Sequence, residues 1–206
     1  MYLSYGKHYI AHSSYDTYDE MIFVLSKCEA GSLILGESAE PVFYSVISYL
    51  GWNGRDRFGL GICSEESGLK PHLLLKPKRS QLLLGFNNEV VAVGIDERQI
   101  HFQVRLDSLF HSFLDLDKTL LVFHEIGLIA LDEKGKKCWE YEEDVIEHFE
   151  ISQDNLSLRF MDAPPVNINL QTGYLQTHST TRLSYNRRRL INAKDAKGAK
   201  GAKEVL

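Results

Sequence analysis

The chain has 206 residues, of which 44% are hydrophobic, 25% charged and 11% aromatic, a composition that excludes a wholly disordered or collagen-like polypeptide. Its net charge of −5 is unevenly placed: residues 186–206 carry seven basic and two acidic side chains, a net +5, which leaves residues 1–185 at −10. An acidic body repels nucleic acid, and no run approaches the ~18 uninterrupted apolar residues of a membrane helix, so neither specific nucleic-acid binding nor membrane insertion is expected.

In chain order, residues 1–19 are polar and rich in tyrosine, with no apolar stretch of the signal-peptide kind, and are set apart from a single β domain expected over 20–185. The spacing His8-x-x-x-His12 would place two imidazoles on one helical face, but the neighbouring Gly, Ser and Asp argue against a helix, and no metal site is expected there. Met21–Lys27, Ser32–Glu37, Val42–Leu50 and Phe58–Cys63 predict strands bounded by Gly, Pro or charged turns. Between the last two lies Gly51-Trp-Asn-Gly-Arg-Asp-Arg-Phe-Gly-Leu-Gly61, a glycine-rich stretch carrying Trp and Arg, the residue types enriched at binding hot spots. Trp52, Asn53, Arg55 and Arg57 are therefore the candidate binding residues. The plainer alternative is a long hairpin with Trp52 on the core and Asp56 paired to Arg55 or Arg57.

A repeat follows. Phe86, Phe123 and Phe160 are separated by 37 and 37 residues, and Leu84, Leu121 and Leu158 keep the same step. So do Asp107/Asp144, His111/His148 and Asp117/Asp154. The units are drawn at about 76–112, 113–149 and 150–185. Each reads as a strand, a turn, a second strand, a Gly turn, a third strand and a weaker fourth. In the middle unit these are Leu120–Phe123, Leu128–Leu131, Lys137–Tyr141 and Val145–Ile151.

The run Ala130-Leu-Asp-x-x-Gly135-x-x-x-Trp139 resembles a blade of the quinoprotein-like β-propeller repeats, once over about twenty residues and in part again at 166–174. That resemblance implies a shape, without a cofactor or an active site. Three blades do not close a propeller, so the expected fold is all-β: antiparallel meanders with a 37-residue repeat, forming a partial or small propeller or alternatively a β-sandwich. The tail 186–206 contains four Ala-Lys-x triplets, a period that suits neither helix nor strand, and is expected to be disordered. It resembles tails that cyanobacterial hypothetical proteins acquire when a repetitive DNA element is read through.

Cys28, Cys63 and Cys138, odd in number and widely spaced, predict no disulfide framework and no zinc site, and point to a reducing, cytoplasmic setting. The repeated Asp-x-x-x-His pairs suit structural bonds at strand ends, with metal binding as the rival reading. His124 and Glu125 are adjacent and point to opposite faces of an extended segment, so an acid–base pair is not expected. Phosphate-loop, dinucleotide, nucleophile-elbow, zincin and EF-hand motifs are missing, and no cofactor is expected. The leading expectation is a non-enzymatic module binding another protein, plausibly a basic one; an immunity-type role fits that description. The alternative is a hydrolase or carbohydrate-acting enzyme that gathers Asp107, Glu125, Asp144 and Asp162 from several loops.

Overall fold

The computed structural model describes residues 2–5, 8–37, 41–50, 56–65, 69–116 and 118–176, and divides the chain into two compact units, Met1–Ser112 and Phe113–Leu206. The predicted tail, 186–206, lies outside the described residues. No helix among the described residues is long and apolar enough to cross a membrane.

The first unit opens with β1 (Tyr2–Tyr5), β2 (His8–Tyr15), helix α1 (Tyr18–Leu25), β3 (Ser32–Leu35), β4 (Pro41–Leu50) and β5 (Asp56–Glu65). These strands form one sheet in the order β1-β2-β4-β5-β3, antiparallel except where β3 runs parallel to β5. The first nineteen residues, set apart on polarity, thus supply two strands: β2 pairs along its whole length with β4, and Ile10 enters the core.

Met21–Lys27 is corrected from strand to helix. Thr17 caps it by accepting from the Glu20 amide at 3.3 Å, and Glu20 Oε2 accepts in return from the Asp16 amide at 3.3 Å. Met21 and Leu25, one helical turn apart, bury against Phe43 and Ile47 of β4. The approach is close. A β-carbon at Gly59 would stand 2.7 Å from Leu25, and one at Gly61 2.8 Å from the same side chain. Gly59 and Gly61, which fall both in the glycine-rich stretch and in the strand predicted over Phe58–Cys63, are part of strand β5, where they make room for the helix.

The opposite face of this sheet packs on a second one, β6 (His72–Lys76), β7 (Gln81–Phe86), β8 (Glu89–Gly94) and β9 (Gln99–Arg105), paired antiparallel in chain order. Val46, Leu60 and Ile62 meet Leu84, Phe86 and Val91 in the shared core. At about 25 cal/mol per Å² of apolar surface, such facing layers supply most of the stabilisation.

The meander is repeated from β10 (Phe110–Asp115) onward, a strand that begins in the last residues of the first unit and continues into the second. β10, β11 (Leu120–His124), β12 (Gly127–Leu131) and β13 (Lys137–Glu142) form one sheet; β14 (Ile146–Ser152), β15 (Asn155–Phe160) and β16 (Val166–Asn169) form the other. Leu121, Phe123 and Trp139 pack against Leu156, Leu158 and Phe160. Phe86, Phe123 and Phe160 are 2%, 4% and 3% exposed, and Leu84, Leu121 and Leu158 are fully buried, so the 37-residue step is a true structural repeat. Among the described residues the fold is all-β apart from α1 and one short 3-10 turn.

The repeat and the sheets are out of phase by one strand. The segment Val145–Ile151, read as the fourth strand of the middle unit, hydrogen-bonds forward to β15, with Phe149 opposite Leu158 and Ser152 opposite Asn155. The expected repeat boundary at 112/113 coincides with the division between the two compact units, and that at 149/150 lies within the residue range of β14.

The third meander also differs in its outward face. Where β7 has Leu83 and β11 has Leu120 and Val122, all buried, β15 has the half-buried Ser157 and the exposed Arg159. Strands buried on both faces read as continuous apolar runs, whereas one with a wetted face alternates. The sheet of β14, β15 and β16 thus has one apolar face and one polar face.

Candidate functional site

The candidate loop is described only in part: Trp52, Asn53 and Arg55 lie outside the described residues. Arg57 opens β5 and grips Glu29 with both arms of its guanidinium, Nη2 to Oε1 at 2.6 Å and Nε to Oε2 at 3.1 Å. That fork holds the Glu29 carboxyl down at about 2. Of the pairing expected for Asp56, the Arg55 half lies outside the described residues, and Arg57 forks onto Glu29. Asp56 Oδ2 accepts from Arg98 Nη2 at 2.6 Å, because adjacent residues of a strand face opposite ways. Both charged residues at the start of β5 are committed to their own unit.

The repeated Asp-x-x-x-His pairs do not behave alike. Asp144 Oδ1 accepts from the Val145 amide at 2.7 Å and Oδ2 from the Asp162 amide at 2.9 Å. These donors favour the ionised carboxylate and keep its pKa below the ordinary value. His148 is exposed and lies 3.3 Å from Glu150. His111 neighbours His72, whose pKa is lowered by burial and secondarily by that imidazole, and whose ring meets Phe110 edge-on. No group of three or more His, Cys, Asp or Glu stands together as metal ligands among the described residues.

One end of the second unit collects what the sequence scatters. The β11–β12 hairpin, the β13–β14 link and the β15–β16 link are stitched by Glu143 N to Ile126 O at 3.2 Å, Met161 N to Val145 O at 3.0 Å, and the Asp144–Asp162 bond. His124 is 2% exposed, and its Nε2 stands 3.7 Å from Glu142 Oε1, not beside its neighbour Glu125. Residues 124–126, 142–145 and 161–163 carry five carboxylates and no Lys or Arg. Among them Ile126 and Met161 are exposed, Met161 at 65%. Of the carboxylates proposed for catalysis, Glu125, Asp144 and Asp162 belong to this end; Asp107 belongs to the first unit, in the link between β9 and β10.

Asn87 is the repeat equivalent of His124, a position that reads from the sequence only as a turn. It occupies a left-handed turn at φ 48, and its Oδ1 accepts from Ser64 Oγ at 2.9 Å and the Glu65 amide at 2.8 Å. The equivalent positions carry His124 and Met161, so no shared side chain signals the role, and in the first meander Asn87 forms a clamp between β5 and the β7–β8 hairpin.

No protein-family model and no curated sequence matches the chain. Solved structures similar to it are WD40- and β-propeller-type proteins at low identity. Saccharomyces cerevisiae Sqt1 is 11% identical with a TM-score of 0.45, covering 68% of this chain and 45% of that one. BamB from Moraxella catarrhalis is 11% identical with a TM-score of 0.44, covering 71% and 51%. The computationally designed Ika8 protein is 11% identical with a TM-score of 0.48, covering 85% and 59%. The chain spans about half the length of these proteins.

Proposed function

We propose that this chain is a protein-interaction module whose second unit receives a basic protein partner on its acidic end. The observation that supports this reading is the pair of exposed apolar side chains, Ile126 and Met161, set among five carboxylates with no Lys or Arg in the same three segments. An apolar centre with a charged rim is the arrangement by which interfaces combine affinity with partner choice. The −10 charge of residues 1–185 draws a cationic partner from a distance, as immunity-type neutralisation of a basic toxin would need. The loop bearing Trp52, Asn53 and Arg55 is a second contact in this reading, with Arg57 bracing its base.

The test uses the full chain as bait and re-measures each captured partner against the variant Glu125→Gln/Glu143→Gln/Met161→Ser. This variant spares Asp144 and Glu142, which have structural neighbours. A basic partner whose affinity falls at least about tenfold in the variant, and falls again with rising salt, supports the proposal. A partner indifferent to the variant, or a substrate turned over by the purified chain with no partner captured, overturns it.

A further inference from the structure

A groove of about 380 Å³ runs between the end of β2 and one face of α1, lined by Ser14, Tyr15, Asp16, Glu20, Phe23 and Val24. Glu20, Phe23 and Val24 share that face through the i, i+3, i+4 spacing of a helix. Tyr15 is fixed by a 3.1 Å hydrogen bond between its hydroxyl and Ser45 Oγ, so its ring is a preset wall. Phe23 is 61% exposed, the largest exposure of any aromatic side chain described, and its ring already holds a cation: Lys27 Nζ stands 3.8 Å from the centroid.

Parts of this arrangement serve the helix itself. Asp19 and Glu20 offset the N-terminal dipole, and Glu20 ties back to the Asp16 amide. The helix gains nothing, however, from exposing a phenylalanine over a groove, and the Asp16 carboxylate on the rim of that groove is not accounted for by the cap. A flat π-face on one side and exposed carboxylates on the other are what a planar guanidinium recognises, by stacking and by forked hydrogen bonds.

We propose that this groove is a binding subsite for an arginine side chain presented by a peptide. It belongs to the first unit and does not rest on the reading of the acidic end of the second; either fails without the other.

The experiment titrates the full chain with Ac-Gly-Arg-Gly-amide, followed by NMR shifts of the Phe23 ring and the Glu20 amide. Saturable shifts at both are expected. Affinity should be at least about fivefold weaker for the citrulline counterpart, which keeps the shape and loses the charge, and for Phe23→Ser, as a cation–π contact near 1 kcal/mol implies. Asp16→Asn/Glu20→Gln should weaken it comparably, and Gln retains the capping interaction of the helix. No saturable shift at Phe23 up to about 10 mM peptide, a ceiling well above ordinary weak affinities, overturns the proposal. Equal binding by the citrulline or lysine peptide, or unchanged binding by Phe23→Ser, overturns it too.

Discussion

Arg98 donates to Asp56 across 2.6 Å from a backbone held at φ 59, in the left-handed region. The repeat equivalents of Arg98 are Gly135 at φ 77 and Gly173 at φ 72, each closing the turn after the second strand of its hairpin. In both glycine turns a side chain organises the amides: Asp132 Oδ1 accepts from Lys134 N and Lys136 N, and Asn169 Oδ1 from Gln171 N and Thr172 N. The first meander alone places a bulky residue at the left-handed position, and that residue reaches the base of the 51–55 loop.

This position predicts an inverted order of substitutions. A non-glycine residue there costs about 1–2 kcal/mol, while a half-exposed ion pair returns about 0–1 kcal/mol. Arg98→Gly relieves the backbone and loses the pair; Arg98→Ala keeps the strain and loses the pair. Urea denaturation should therefore rank glycine above alanine by about 1 kcal/mol, with glycine within about 1 kcal/mol of the native protein. An alanine variant as stable as the glycine variant would show that the turn carries no strain.

Phe123 fills the core between the two sheets of the second unit and stacks on Phe149 with centroids 4.4 Å apart. Removing a buried aromatic of this size costs about 3–5 kcal/mol, against a total of about 5–15 kcal/mol for a domain. Phe123→Ala should lose most soluble, folded material, and Phe123→Leu should keep more of it by conserving volume. Recovery of the alanine variant with an unchanged melting temperature would contradict the packing described.

Asp144 sets the direction of an acid sensitivity. Its folded pKa lies below the ordinary value, so its contribution is complete above the unfolded pKa of about 3.9 and is lost as pH falls through the folded value. The stability difference between the native protein and Asp144→Asn should be largest at neutral pH and shrink below about pH 4. A difference that stays constant from neutral pH to pH 3 would remove the carboxylate's charge from the account.

Much of the second unit was legible in the sequence because its determinants are local. Leu121, Phe123 and Phe160 lie on strands whose side-chain period is two, and Gly135 and Gly173 sit where a turn must pass through left-handed backbone. The helix was legible and misread: Met21 to Val24 is an apolar run that suits a strand, and the decisive signal was Thr17 with Glu20, a cap three residues apart. At the candidate site the sequence showed Glu125, Asp144 and Asp162 as carboxylates on separate loops, but not that their segments would meet beside Ile126 and Met161.

What the sequence by itself determined is the spacing of the repeat, its buried positions and its turns. A period fixes how far apart equivalent residues stand, yet it is unchanged by where each unit is said to begin. Only the tertiary structure decided that β14 pairs forward to β15, because hydrogen-bond direction at a sheet edge depends on the neighbour available and not on the side chains of the strand. The same holds for Arg57 with Glu29, Arg98 with Asp56 and Asp144 with the Asp162 amide, contacts that span 28, 42 and 18 residues. Such separations lie beyond any local pattern, so only the pairing of the strands brings these groups together.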